Sequence, residues 1–269
     1  MDAVLTAGGQ HLHVRVEGPE GAPWLVFSNS LMTDLSLWNG QVAAFGAAHR
    51  ILRYDTRGHG GSAVPDSDCD FDTLVADLAE LMRQLGAVDA TACGVSMGGV
   101  TVLGLAACHP DLVARVAVCD CQPASTAAGA AAWEERIGLV RSGGMAALVE
   151  PTASRWLRPD TVATNGPAVA AVRRMVAATP LDGFVRAARA LQRYDFAPDL
   201  AALGARRCPT SFIVGAQDAG LPQAVRAMAE ACPGAALTVV PECGHLPNLE
   251  RPGAFDASLA ALLATPPRS

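Results

Sequence analysis

The chain contains not one lysine; all 20 of its basic residues are arginine. It also lacks any uncharged apolar run approaching the roughly 20 residues that a bilayer-spanning helix requires, although half of its residues are hydrophobic. The N-terminal stretch, Met1 to Val16, has no basic segment followed by an apolar one, so no secretory leader is expected and a cytoplasmic location is. Positive charge is not in excess: the formal net charge is −6, which excludes a nucleic-acid binder of the usual basic-faced kind. The eight cysteines offer no zinc-ligand grouping. Cys119 and Cys121 are separated by a single residue, which suits neither a redox pair nor a zinc knuckle. Cys93, Cys108, Cys119 and Cys208 sit in or beside apolar runs, where a free thiol behaves as a small hydrophobe. Neither a metal nor an organic cofactor is expected.

With 269 residues the chain can bury one large α/β core or two small ones. Its charge is unevenly spread. Residues 122–195 hold nine arginines against six acids, whereas the remainder holds 11 against 20. The middle of an acidic protein is therefore locally cationic, either as a set of solvated helix faces or as a surface that meets an anion.

Segment Leu5 to Val16 alternates around Gly8-Gly9 and reads as an antiparallel hairpin. Six apolar runs follow: Trp24–Ser28, Ile51–Tyr54, Thr91–Val95, Val113–Cys119, Ser211–Val214 and Leu237–Val240. Runs without clean alternation suit parallel strands covered on both faces. Helical patterns lie between them at Phe71–Leu85, Val100–Cys108, Gln223–Ala231 and Ala254–Ala264, with Asp72-Thr73 offering cap chemistry to the first and Gly86 a stop. Between about Ala124 and Asp195 four helical patterns succeed one another without a strand, around Trp133–Val140, Met145–Leu157, Ala168–Ala177 and Leu181–Tyr194. The expectation is an α/β fold: a mostly parallel sheet with helices on both faces, built from residues 1–121 and 196–269, with residues 122–195 as a helical cap.

Strand Thr91–Val95 runs into Gly94-Val95-Ser96-Met97-Gly98, and a helix follows. A G-x-S-x-G between strand and helix is the nucleophile elbow, a strained turn that lifts a hydroxyl clear of the sheet. Its glycines are needed because side chains two residues before and after the serine would collide with neighbouring elements. A serine hydroxyl becomes a nucleophile only when a base takes its proton, and the elbow fold places its partners in the order serine, acid, histidine. Asp218 follows strand Ser211–Val214, and His245 follows strand Leu237–Val240. Both lie just beyond carboxyl ends of strands, where parallel sheets build their sites. Ser96 as nucleophile, His245 as base and Asp218 as the orienting acid form the expected triad. Asp120, ending strand Val113–Cys119, is the rival acid. Glu242 is too near His245 in sequence for that role and should face solvent. His11, His13, His59 and His109 lack a matching acid and strand-end context. For the oxyanion, the expected donors are the backbone amides of Met97 and, from Asn29-Ser30-Leu31-Met32, of Leu31.

These residues carry a resemblance. Trp24-Leu-Val-Phe-Ser-Asn-Ser-Leu-Met-Thr-Asp-Leu-Ser-Leu-Trp38, Leu52-Arg-Tyr-Asp-Thr-Arg-Gly-His-Gly60 and Gly94 to Gly99 resemble the corresponding segments of bacterial 3-oxoadipate enol-lactonases in the α/β-hydrolase superfamily. Gly244-His-Leu-Pro-Asn-Leu-Glu-Arg-Pro-Gly-Ala-Phe255 is more general to the superfamily. The resemblance implies hydrolysis of a small carboxylate-bearing enol-lactone, a step of aromatic catabolism. Trp133-Glu-Glu-Arg136 resembles the family's cap segment, where an arginine fork could hold that carboxylate; Met32, Trp133, Arg136, Arg155 and Trp156 are the candidates for contacting substrate. Two departures stand out. Met32 occupies a position usually glycine in this pattern, next to the expected oxyanion loop. Cys119-Asp-Cys-Gln-Pro123 differs from the family's small polar stretch.

Three functions remain open at this point: enol-lactone hydrolysis; a carboxylesterase or C–C bond hydrolase of another small substrate; and, from another class, a ligand receptor that turns over little, since fold does not dictate function. Serine at the elbow excludes the aspartate-dependent haloalkane dehalogenases. No nucleic-acid or membrane partner is expected, and a homo-oligomer is left open.

Overall fold

A computed structural model describes residues 1–266. Eight strands form one sheet in the order β1-β2-β4-β3-β5-β6-β7-β8: β1 (Asp2–Ala7), β2 (Gln10–Glu17), β3 (Trp24–Ser28), β4 (Arg50–Tyr54), β5 (Ala90–Val95), β6 (Val113–Cys119), β7 (Thr210–Gly215) and β8 (Ala236–Val240). All the apolar runs seen in the sequence are strands, extended by at most a residue or two. The hairpin closes on Gly8-Gly9, with Ala7 opposite Gln10. Both glycines take positive φ, 54° and 71°, as a two-residue turn matched to the strand twist demands. β1, β2 and β4 pair antiparallel; every other pairing is parallel.

The helices are α1 (Asn39–Phe45), α2 (Phe71–Leu85), α3 (Met97–Cys108), α4 (Ala127–Gly143), α5 (Ala146–Trp156), α6 (Pro159–Thr164), α7 (Pro167–Ala178), α8 (Leu181–Ala190), α9 (Asp199–Ala205), α10 (Leu221–Ala231), α11 (Pro247–Glu250) and α12 (Pro252–Ala264), preceded by a 3-10 turn at Leu35–Trp38. α2, α3, α9 and α10 touch in sequence along the sheet, while α1 packs on α12. α3 is buried through almost its whole length, which explains why its sequence shows no polar stripe. α2 has the bounds its pattern predicts, but its cap is Asp70, not Asp72-Thr73: the Asp70 carboxylate accepts the Thr73 amide at 2.9 Å. Gly86 ends α2 with φ 67°.

α4 to α8 all lie between β6 and β7. α5 touches α4, α6 and α7, and α4 touches α8; the chain enters and leaves this layer side by side, through a bridge between Ala124 and Asp195. The pattern at Leu181–Tyr194 is helical only to Ala190. α1, α6, α9 and α11 are short elements that carry no readable apolar stripe; α6 buries none of its residues. Among the described residues no helix is long and apolar enough to cross a membrane.

The strand order fixes where a site can form. From β3 the chain steps to β4 on one side, then returns across β3 to β5. Loops leaving β3 and β5 therefore diverge at their carboxyl ends, the crevice in which open α/β sheets bind ligands. Register places Ser28 beside Gly94, and Val95 beside Cys119.

Candidate active site

Ser96 stands between β5 and α3 with φ 57° and ψ −119°, a conformation that L side chains avoid. Its amide donates to the Cys119 carbonyl at 2.8 Å, so the turn is pinned to β6. The glycines flanking it are sterically required. A Cβ at Gly94 would lie 2.1 Å from the Gly98 carbonyl oxygen, and one at Gly98 would lie 2.2 Å from that of Ser28. Both contacts are with backbone, which cannot swing away. Gly98→Ala should therefore destabilise the fold by about 3 kcal/mol, read as a lowered midpoint in chemical unfolding; an unchanged midpoint would mean that β3 and α3 can separate freely.

The Ser96 hydroxyl hydrogen-bonds no other described residue, and it lines a cavity of about 420 Å³ together with His245. His245 Nδ1 lies 2.6 Å from Asp218 Oδ2, both side chains being almost fully buried. Donation from Nδ1–H leaves Nε2 as the unprotonated nitrogen, a tautomer set by this partner. The His245 amide donates to the Trp156 carbonyl at 2.7 Å, and the Trp156 ring lies 5.6 Å from the imidazole, tilted by 30°.

Asp120, the rival acid, is placed close by but differently. It is fully buried; its Oδ1 accepts the Gly215 amide at 2.8 Å and its Oδ2 has no hydrogen-bond partner. Burial, reinforced by the charge of Asp218, holds its carboxyl well above the usual carboxylate range. Burial thus favours the neutral form of Asp120, and Asp218 is the acid bonded to the imidazole. Asp120, Asp218 and His245 present donor atoms within 4.8 Å of one another. Within this group His245 Nδ1 is bonded to Asp218 and Asp120 Oδ1 to the Gly215 amide.

The other histidines and acids resolve simply. Glu242 is exposed and meets Arg251 at 3.3 Å. His13 does have acid partners, contrary to its reading in the sequence: it bridges Asp55 at 2.8 Å and Asp2 at 2.7 Å. It does so on the hairpin and does not line the cavity. His59 is fully buried.

The loop after β3 is held by its own polar residues. Asn29 donates to the Tyr54 carbonyl at 2.7 Å and accepts the Trp38 indole N–H at 2.9 Å. Thr33 hydroxyl donates to the Ser30 carbonyl at 2.7 Å. Leu31 and Met32, held between these ties, line the cavity beside Ser96. Among the described residues no acceptor takes the Leu31 amide or the Met97 amide, the first of α3. Met32 has φ 59°, a left-handed conformation that costs a residue with a Cβ about 1–3 kcal/mol. Glycine would adopt it freely, while methionine fills space at the cavity wall instead.

Trp133, Arg136, Arg155 and Trp156 all line the same cavity. Arg136 lies over the Trp133 ring, 4.7 Å from its centroid. Its only hydrogen bond among the described residues is to the Ala132 carbonyl at 3.1 Å. Burial, with the like charge of Arg155, lowers its pKa from the ordinary guanidinium value. The cationic surplus of this layer is thus unequally satisfied. Arg158, Arg173, Arg174 and Arg189 each pair with a carboxylate, whereas Arg136 and Arg155 face the cavity and pair with none among the described residues. Among the cavity-lining polar residues, Gln122 lies in the Cys119–Pro123 segment that departs from the family pattern, whereas nothing local in the sequence distinguishes Thr126 and Tyr194.

Residues 21–257 match the profile of a family described as "Alpha/beta hydrolase family". The 3-oxoadipate enol-lactonase 2 of Acinetobacter baylyi is 33% identical over 260 residues, covering 96% of this chain and 95% of that protein. The crystal structure of the enol-lactonase from Burkholderia xenovorans LB400 superposes with a TM-score of 0.91 at 34% identity, covering 98% of this chain and 100% of that one. A putative carbamate hydrolase, RutD, of Pseudomonas syringae is 27% identical over 250 residues, 91% of this chain and 95% of its own. These likenesses support hydrolytic activity on a small molecule.

Proposed function

The chain belongs to the alpha/beta hydrolase family, and on that premise we propose that it is a serine hydrolase which opens a small carboxylate-bearing lactone, 3-oxoadipate enol-lactone being the substrate its relatives suggest. Ser96 Oγ attacks the lactone carbonyl as His245 Nε2 takes its proton. The amides of Met97 and Leu31 receive the developing oxyanion, and Asp218 stabilises the imidazolium. Collapse breaks the ring C–O bond; the departing enolate takes the proton held on His245 Nε2, the resulting enol tautomerises to the ketone, and that group stays tethered to the acyl-enzyme while His245 returns to its neutral form. Water then attacks the acyl-enzyme with His245 again as base, releasing the free acid and regenerating Ser96. The helices between β6 and β7 act as the cap over this chemistry.

The observation that carries the substrate class is Arg136, half-buried on the cavity wall beside Arg155 and ion-paired with no carboxylate among the described residues. A desolvated guanidinium aimed into a cavity is completed by an anionic ligand. Arg136→Ala should lower kcat/KM about 10–100-fold for 3-oxoadipate enol-lactone, the range expected for losing a hydrogen bond to charge. The same variant should hydrolyse a neutral lactone or aryl ester within about threefold of wild type. Equal losses on both would detach Arg136 from carboxylate recognition. The likeness to a putative carbamate hydrolase supplies the rival reading; turnover of a simple carbamate in preference to the lactone and the ester would favour it.

A further inference from the structure

Besides Asp120, the buried side chains near His245 include a second acid that the chemistry above does not use. Glu250 is 7% exposed and forms no ion pair among the described residues. Its carboxylate instead gathers three hydrogen-bond donors. Oε2 accepts the Gly244 amide at 2.6 Å. Oε1 accepts the Arg158 amide at 2.9 Å and the Thr161 hydroxyl. Gly244 immediately precedes the base; Arg158 caps α6 and Thr161 lies in its first turn. One carboxylate thus joins the His245 loop to the inserted helices.

The attachment is close on its other side as well. A Cβ at Gly244 would lie 2.4 Å from the Trp156 carbonyl oxygen, and that same oxygen accepts the His245 amide. The Cys243 carbonyl accepts the Gln217 amide at 2.8 Å, tying the loop to the turn that bears Asp218. Backbone from Cys243 to His245 is therefore fixed at three points, one of which, His245 to Trp156, runs directly to the insertion and another, Gly244, reaches it through Glu250.

We propose that Glu250 is a positioning residue: by binding Gly244, Arg158 and Thr161 together, it lets the inserted helices hold His245 at the angle from which Nε2 meets Ser96. The inference rests on Ser96 and His245 acting as nucleophile and base. A displacement of about 1 Å in a reacting group costs on the order of a hundredfold in rate, so the effect should appear in the chemical step rather than in binding.

Two variants test it. Glu250→Gln replaces one accepting oxygen with an amide that faces a donor; Thr161→Val removes only the hydroxyl link and leaves Gly244 bound. With an aryl ester, Glu250→Gln should lower kcat about 10–100-fold and Thr161→Val about three- to tenfold, with KM within about threefold of wild type. The rate of Ser96 labelling by a fluorophosphonate, measured well below the melting temperature, should fall in the same proportions, because it reads activation of the serine without substrate recognition. Labelling by Thr161→Val at the wild-type rate, or by folded Glu250→Gln at that rate, overturns the proposal. Absence of labelling and of ester hydrolysis in the wild-type protein would instead overturn the serine-hydrolase reading on which it rests.

Discussion

Ser96→Ala should reduce kcat on any ester or lactone substrate by about 10⁴-fold or more, the scale of loss when a serine nucleophile is removed from a triad. Folding should be nearly untouched. The hydroxyl makes no hydrogen bond to another described residue, and the strain at this position belongs to the backbone, φ 57°, which alanine must adopt just as serine does. The Ser96 amide keeps its bond to Cys119, and Gly94 and Gly98 keep their close contacts. A stability change within about 1 kcal/mol follows, in the range of substitutions that disturb no packed or bonded group. Paired measurements of steady-state turnover and unfolding separate the two effects. Near wild-type turnover would remove Ser96 from the mechanism; a large loss of stability would show that the hydroxyl is structural.

The parts legible in the sequence were those dictated by neighbours along the chain. The strands were readable because a sheet covered on both faces demands continuous apolar runs, as in Val113–Cys119 and Trp24–Ser28. The elbow was readable because two carbonyl oxygens exclude side chains at Gly94 and Gly98, so the steric demand is written as glycine. What escaped was set by partners distant in sequence. Glu250 is a helix residue like any other until Arg158 and Thr161 arrive from about ninety positions away. His13 looked unpaired because Asp55 reaches it only through the register of β2 with β4. The choice of Asp70 over Asp72 as the α2 cap turned on one backbone angle, ψ −179°, that composition does not specify. Cys108, which follows an apolar run as the buried thiols do, is exposed because α3 ends there. The surplus charge of residues 122–195 was visible as a sum; that Arg136 and Arg155 are the arginines left facing the cavity was a question of three-dimensional pairing.

Asp218→Asn should lower kcat/KM about 10³–10⁴-fold, whereas Asp120→Asn should stay within several-fold of wild type. The two residues lie side by side, yet they do opposite things. Asp218 accepts from His245 Nδ1 at 2.6 Å. An asparagine there can turn its NH₂ toward the ring, shift the imidazole proton to Nε2 and leave no base for Ser96. Asp120 is fully buried beside Asp218, and burial with that charge favours its neutral form. An amide of the same shape retains an oxygen for the Gly215 N–H and adds no charge. Stability gives an independent check. An acid whose pKa is raised in the folded state stabilises fully only below its unfolded value, near 3.8, and that contribution is lost as pH climbs toward the folded value. Asp120→Asn removes this dependence, so its melting temperature relative to wild type should rise as pH is raised above 4. If Asp120→Asn proved the crippled variant and Asp218→Asn the benign one, the acid would have to be reassigned to the end of β6, and the bond from Asp218 to His245 would be structural alone.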